Sequence, residues 1–331
     1  MLEDIVHILP QELKAIIYHL PMEVKHSLEE IRIRENRPLE ISHRGSFHYA
    51  TEQGKLVLDP RQAYQPSHEQ CRKLLERITN YSLYAMEEEL RRGYITIAGG
   101  HRIGIAGRTI LDGGSVRGIR DIGGFNIRIA REVVGAAKQL LPKLFAGPGG
   151  SLQSTLMISP PQQGKTTMLR DVARSLSYGS HGKQLPMKVA IVDERSEIAA
   201  SVRGIPSFDV GPRTDVMDAC PKAEGMMMLL RSMSPDVIIV DEIGRVEDAL
   251  AIREAAHCGV KVIATAHAYD VQEVLGRSEI RGLIQEKAFG SIVELKRSQH
   301  GFMHRIIAVD RLLEHSRQNS GFFSLSRKAG S

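Results

Sequence analysis

The stretch STLMISPPQQGKTTMLRDVARSL (residues 154–176) decides how this chain folds. STLMIS reads as a short apolar strand ending at Ser159, PPQQ as a tight loop, and the residues from about Lys165 as a helix. Phosphate is held by this kind of junction, because backbone N–H groups at the loop and the helix N-terminus point at the anion and the helix dipole adds to them. Gly164 lets the backbone approach closely, Lys165 can reach β- and γ-phosphate oxygens, and the Thr166 hydroxyl can ligate Mg²⁺. Ser159, Pro160, Pro161, Gln162, Gln163, Gly164, Lys165, Thr166 and Thr167 are therefore the candidate ATP-binding residues. The match to GxxxxGK[ST] is incomplete, since Ser159 stands where the first glycine belongs. A bare GK[ST] arises by chance, so the surrounding pattern has to carry the reading.

That pattern is strong. Downstream lie further strand-like runs, KVAIVD (188–193), DVIIVD (236–241), VKVIATA (260–266) and SIVELK (291–296), separated by helical stretches. Strands alternating with helices predict an α/β domain with a buried parallel sheet, here a RecA-like P-loop ATPase core over 150–312. Ligands of such sheets sit at the C-terminal strand edge. PDVIIVDEIG delivers Asp241 and Glu242 there, the first placed to hold Mg²⁺ through water and the second to orient the attacking water. IVDERSEI delivers Asp193, Glu194, Arg195 and Glu197, and ATAHA delivers Thr265 and His267, a candidate γ-phosphate sensor. Cations must meet the charge that develops on the transferred phosphoryl group, and Arg195, Arg203, Arg213 and Arg231 are candidates, acting from a neighbouring subunit.

Ahead of a Pro/Gly-rich segment, PKLFAGPGGSLQ (142–153), which reads as a linker, the rhythm differs. Residues 1–145 read as a smaller α+β domain that serves assembly. One amphipathic helix is expected at the start, with Leu9, Leu13, Ile16, Ile17 and Leu20 on one side. Strands follow around an Asn-Arg-Pro turn (36–38), then a hairpin turning at Gly54, a serine-capped helix from about residue 67, and alternating strands in YITIAGGHRIGIAGRTIL and FNIRIA. From 313 to 331 the chain is polar and expected to be mobile.

Composition sets only broad limits. The 331 residues are 42% apolar and 25% charged, ordinary for a globular protein. A net charge of +5 permits an acidic partner without selecting one. Cys71, Cys220 and Cys258 match no zinc or CxxC spacing and read as reduced thiols. No run of ~18 apolar residues suits a membrane span, so membrane association is expected to come through partners.

Longer strings identify a family. VGPRTDVMDACPKAEGMMMLLRSMSPDVIIVDEIG (210–244), ATAHA (264–268), EEIRIRENRPLEI (29–41), YSLYAMEEELRRGYITIAGGHRIGIAGR (81–108) and FNIRIAREVVG (125–135) resemble the stage III sporulation protein AA family of endospore-forming bacteria. That family is similar to the hexameric RecA-like ATPases of type II and type IV secretion. The resemblance implies a homo-oligomer, with a hexamer expected, that energises a channel between mother cell and forespore. It would act from the mother-cell cytoplasm, docked to membrane proteins of that channel. It implies Glu197 as catalytic base in an acidic box, with Glu194 as its rival, Glu242 in the second acidic motif, His267 in a histidine box and Arg231 in an arginine box. Arg213 lies in a segment characteristic of the family. Asp241 departs from the glycine common in secretion ATPases, which leaves Glu242 and Glu197 both open as the base.

Arg91, Arg92, Arg102, Arg108, Arg117, Arg120, Arg128 and Arg131 crowd one region with Asp112 and Asp121 as offsets. They read as solvated strand faces, as a nucleic-acid surface, or as an interface reaching a neighbour's ATP. No aromatic platform interleaves them in the sequence, so nucleic acid is the less expected partner. A nucleic-acid-stimulated ATPase and a nucleotide-gated scaffold with little turnover are the alternatives to a motor. A GTPase is disfavoured, since no NKxD guanine-reading motif is present.

Overall fold

The computed structural model describes residues 2–80, 82, 87–130, 132–161, 163–179, 184–298 and 301–314. They form two compact units, 1–131 and 132–331.

In the first unit the opening segment is three short helices, α1 (Leu2–Ile8), α2 (Gln11–His19) and α3 (Met22–Ser27), in place of the single expected helix. Pro10 and Pro21 cause the breaks: each lacks the N–H that a helix interior needs and sits instead at an N-cap. Leu9, Leu13, Ile16, Ile17 and Leu20 are all buried regardless. Then come β1 (Leu28–Arg34), β2 (Glu40–His43), β3 (Ser46–Ala50), β4 (Leu56–Val57), α4 (His68–Ile78), α5 (Glu87–Arg92), β5 (Tyr94–Ile97), β6 (His101–Asp112) and β7 (Ser115–Arg128). The strands form one antiparallel sheet in the order β4-β3-β2-β1-β7-β6-β5. Gly54 turns the β3–β4 hairpin at φ +74°. Ser67 caps α4 in a reciprocal box with Gln70, worth about 1 kcal/mol. The outer half of the β6–β7 hairpin is exposed and carries Arg108, Arg117 and Arg120, while Arg102 lies 3.7 Å over the Tyr94 ring. Arg131 and the Arg92 side chain lie outside the described residues.

The second unit contains α6 (Leu141–Leu144), β8 (Thr155–Ser159), α7 (Lys165–Tyr178), β9 (Val189–Asp193), β10 (Thr214–Asp218), α8 (Lys222–Ser232), β11 (Val237–Val240), α9 (Val246–His257), β12 (Lys261–His267), α10 (Val271–Leu275), α11 (Ser278–Gln285), β13 (Ser291–Ser298) and β14 (Gly301–Ala308). Strand order is β10-β9-β11-β12-β8-β13-β14, parallel from β10 to β13, with β14 antiparallel at the edge. Every residue of β8, β9 and β11 is buried, as the continuous apolar runs require when helices cover both sheet faces. One face packs on α8, α9 and α11 through Met226, Leu229, Ile252 and Leu283. The other packs on α7 through Met168, Leu169, Val172 and Leu176.

Residues 142–153 do not separate the units. Leu144 and Leu152 are buried in the α7-side core, and the Gly147 N–H donates to the Ser151 carbonyl at 3.0 Å. Upstream, the buried Asp171 carboxylate on α7 accepts the N–H groups of Gly135 (3.0 Å) and Ala137 (2.7 Å). Prolines and glycines here shape a packed turn, and the change of unit falls at 131/132. At the other end, residues 309–314 are helical and Leu313 packs on the core; the expected tail from 315 onward lies outside the described residues. All three cysteines are unbridged, and burial pushes the Cys71 thiol up to about 11.

Candidate active site

Because β9, β11, β12 and β8 are successive neighbours and parallel, their C-terminal ends line up. Asp193, Asp241 with Glu242, His267 and the Ser159 loop therefore meet at one sheet edge, as the sequence predicts.

The loop after β8 closes at Gly164, whose φ is +86°. A Cβ there would also come within 2.4 Å of the Phe302 ring on β14. Gly164 is the N-cap residue of α7, and no side chain caps this helix, which leaves its first turn open to an anion. Gln163 faces the edge hairpin, its side-chain oxygen accepting the Arg297 N–H at 2.9 Å. Gln162 lies outside the described residues, Pro161 is exposed, and Thr167 is half-buried in the first turn.

Lys165 is buried and turned back on its own loop. Its ammonium donates to the Ser159 carbonyl (2.9 Å), the Ser159 hydroxyl (3.2 Å), the Pro160 carbonyl (3.1 Å) and His267 Nδ1 (2.9 Å). Burial lowers its pKa, opposed by Asp241 and Glu242. The hydroxyl at the position of the missing glycine is thus a Lys165 acceptor. An incoming phosphate competes with that bond, which is worth about 0.5–1.5 kcal/mol. Ser159→Ala is expected to tighten ATP binding about 2- to 10-fold in a calorimetric titration.

Thr166 Oγ1 donates to Asp241 Oδ2 at 3.2 Å, and the buried Thr265 hydroxyl donates to Asp241 Oδ1. Burial, with Glu242 and Glu197 adding to it, pushes the Asp241 carboxyl up; the two hydroxyls pull the other way. Among the described residues no group of three or more His, Cys, Asp or Glu is arranged to hold a metal by itself. A hydroxyl beside one carboxylate suits Mg²⁺, which keeps several waters and takes its remaining ligands from phosphates.

Glu242 sits in the left-handed region at φ +47°, which costs a non-glycine residue on the order of 1–2 kcal/mol. Its N–H donates to Thr265 Oγ1 at 2.8 Å, which holds the backbone in that conformation. The turn throws its carboxylate between His267 Nε2 (2.6 Å) and Arg195 Nη1 (3.0 Å). Lysine offers only donors, so His267 Nδ1 accepts from Lys165 and Nε2–H donates to Glu242. A continuous chain results: Arg195, Glu242, His267, Lys165.

The 193–199 turn is built on Asp193. Its buried carboxylate accepts the N–H groups of Glu197 (2.8 Å), Ile198 (2.9 Å) and Ala199 (2.8 Å). Burial still raises its pKa to about 6, against those three hydrogen bonds. The Glu197 carboxylate is near enough to Asp241 to affect its ionisation. Glu194 instead pairs with Lys222 at the start of α8, so this expected rival base is committed elsewhere. Neither Arg213 nor Arg231 reaches the site of its own chain. Arg213 precedes β10, held by Ser177 (2.7 Å) and Pro186 (2.6 Å), and Arg231 is exposed in the last turn of α8. Arg213 lies by the C-terminal end of α7, whose 14 residues span about 20 Å from the loop after β8, and Arg231 lies at the end of α8 away from Lys222, the residue that pairs with Glu194. Arg203 is exposed in the 202–205 turn.

The folded chain resembles an X-ray structure of the ATPase DotB of Legionella pneumophila (TM-score 0.58, 17% identity, 96% of this chain and 89% of that one). It also resembles a crystal structure of the pilus retraction motor PilT with bound ADP (TM-score 0.59, 14% identity, 92% and 87%). At such identities these matches establish the fold, a RecA-like P-loop architecture. In sequence, the chain is 48% identical over 298 residues to stage III sporulation protein AA of Bacillus subtilis, covering 90% of this chain and 92% of that protein. The model of the family described as sporulation stage III, protein AA matches residues 1–309. The chain therefore belongs to the sporulation stage III protein AA family.

Proposed function

We propose that this chain is a Mg²⁺-dependent ATP hydrolase that works as a homo-oligomer, in the mother-cell cytoplasm, to power a membrane-associated sporulation channel. The observation that carries this reading is the meeting of Lys165, the Thr166–Asp241 pair and Glu242 at one sheet edge. Family membership supports the sporulation context, and the fold shared with a pilus retraction motor and the ATPase DotB is compatible with a motor, for which the family resemblance implies a hexamer. Among the described residues no helix is long and apolar enough to cross a membrane, so docking would fall to membrane partners.

In this reading Lys165 leaves its loop carbonyls for β- and γ-phosphate oxygens, and the uncapped first turn of α7 receives the same anion. Thr166 would ligate Mg²⁺ directly and Asp241 would do so through water; the ion, when bound, neutralises charge on the phosphate oxygens. Once Lys165 moves, His267 Nδ1 loses its partner and is left beside the γ-phosphate position. Glu242 orients the attacking water, and Glu197 supplies negative charge near the metal side of the site.

Oligomeric action is tested by specific activity against protein concentration. Phosphate release per chain is expected to rise with concentration and then level off as sites are completed between subunits. A flat, non-zero specific activity across a range over which sedimentation shows monomer passing to oligomer would remove the motor reading. A second reading, a nucleotide-gated scaffold, draws on the mutual engagement of Lys165, His267 and Glu242; steady phosphate release would exclude it.

A further inference from the structure

Glu242 has its backbone and its carboxylate held by different groups. Its N–H is held by Thr265 and its φ is left-handed, so the residue's position is set, but the carboxylate still needs two contacts to be oriented. His267 supplies one. That contact is conditional, because His267 is itself held by Lys165, the group a phosphate would draw away. Arg195 supplies the other contact, at 3.0 Å, and depends on no phosphate ligand.

Arg195 is delivered by a stiff support. Asp193 fixes the following backbone through three N–H groups, and Ser196, at φ +53°, donates its hydroxyl to Asp218 Oδ1 at 2.7 Å. Glu194 leaves toward Lys222 on α8, while Arg195 crosses to β11's end. The Arg195 side chain is 58% exposed and Glu242 25%, so the pair lies on the solvent side of the site.

We propose that Arg195 is a positioning residue of its own chain's active site, holding the Glu242 carboxylate in the orientation that addresses the attacking water. It rests on the reading of Glu242 as the water-orienting group. The contact is a single ion pair from Nη1 to one Glu242 oxygen, and a fixed cation at that distance favours one orientation of the carboxylate over the others. Arg195 thereby acts in cis on a protein carboxylate, and is not a finger offered to a neighbour's phosphates.

The test is a double-substitution cycle measured on the full chain with Mg·ATP. Arg195→Ala is expected to lower kcat about ten-fold with KM for ATP within about two-fold, and Arg195→Lys to recover part of the loss. In the Glu242→Gln background, Arg195→Ala is expected to change kcat by less than about two-fold, because the partner through which it acts is already gone. Full additivity of the two losses would overturn the proposal, as would an Arg195→Ala effect confined to KM, which would assign the guanidinium to phosphate. So would restoration of the Arg195→Ala loss by mixing in chains that carry Arg195 but lack Lys165, since that is the mark of action in trans. A Glu242→Gln chain with wild-type kcat would instead sink the Glu242 reading beneath it, a distinct outcome.

Discussion

Lys165→Ala is expected to reduce phosphate release at least about 100- to 1000-fold, the loss that follows removal of one preorganised donor from a site of developing negative charge. The magnitude follows from geometry. Lys165 is the one cation that lies within hydrogen-bond distance of the loop carbonyls of Ser159 and Pro160 among the described residues. The fold is expected to survive, since the apolar contacts of α7 run through Met168, Leu169, Val172 and Leu176 and not through residue 165. Far-ultraviolet circular dichroism and a melting curve close to wild type, alongside lost turnover, are the expected pair of readings. Turnover within a few-fold of wild type would contradict the phosphate role.

Glu242→Gln carries the second large effect. The amide keeps the size of the side chain but loses the anion that Arg195 and His267 hold, and it cannot take a proton from water. A fall in kcat of about 100- to 10,000-fold is expected, the range of a lost general base, with ATP binding retained. Glu197→Gln should cost far less, because Glu242 is the carboxylate that His267 and Arg195 hold, while Glu197 acts on Asp241 through charge. Single-turnover kinetics with both variants separates them: an inactive Glu197→Gln beside an active Glu242→Gln would transfer the role to the acidic box on β9.

The strand–loop–helix junction around Gly164 was legible because it is local. A strand, a loop, a lysine and a helix stand consecutively, and the physics that binds an anion acts over those few residues. The parallel sheet was legible because its central strands are buried on both faces and so read as apolar runs. Edges were harder. TDVMD of β10 is half-buried throughout, and GFMHRIIA of β14 alternates at the sheet margin, so neither shows the run that marks β8 or β11. The opening helix was overextended because its apolar spacing continues across Pro10, while the prolines break the backbone without disturbing the burial. PKLFAGPGGSLQ misled in the opposite sense, its glycines making a packed turn.

Within the site, the acidic strand ends and His267 were visible, but their partners were not. DERSE offers three carboxylates and an arginine in five residues. Which of them face β11 depends on partners distant in sequence, Lys222 for Glu194, 28 positions away, and Glu242 for Arg195. Tyr94, which Arg102 covers, is likewise an aromatic contact that the arginine-rich region did not announce. The two arginines favoured by family likeness, Arg213 and Arg231, do not reach the site of their own chain, whereas Arg195 meets the carboxylate.

The most direct test of the proposed activity is steady-state phosphate release by the purified full chain given ATP, with and without Mg²⁺. The site predicts saturable release that requires Mg²⁺ and disappears in Lys165→Ala prepared in parallel. Binding of ATP with no release above the Lys165→Ala background, at every protein concentration up to that of a stable oligomer, would contradict it.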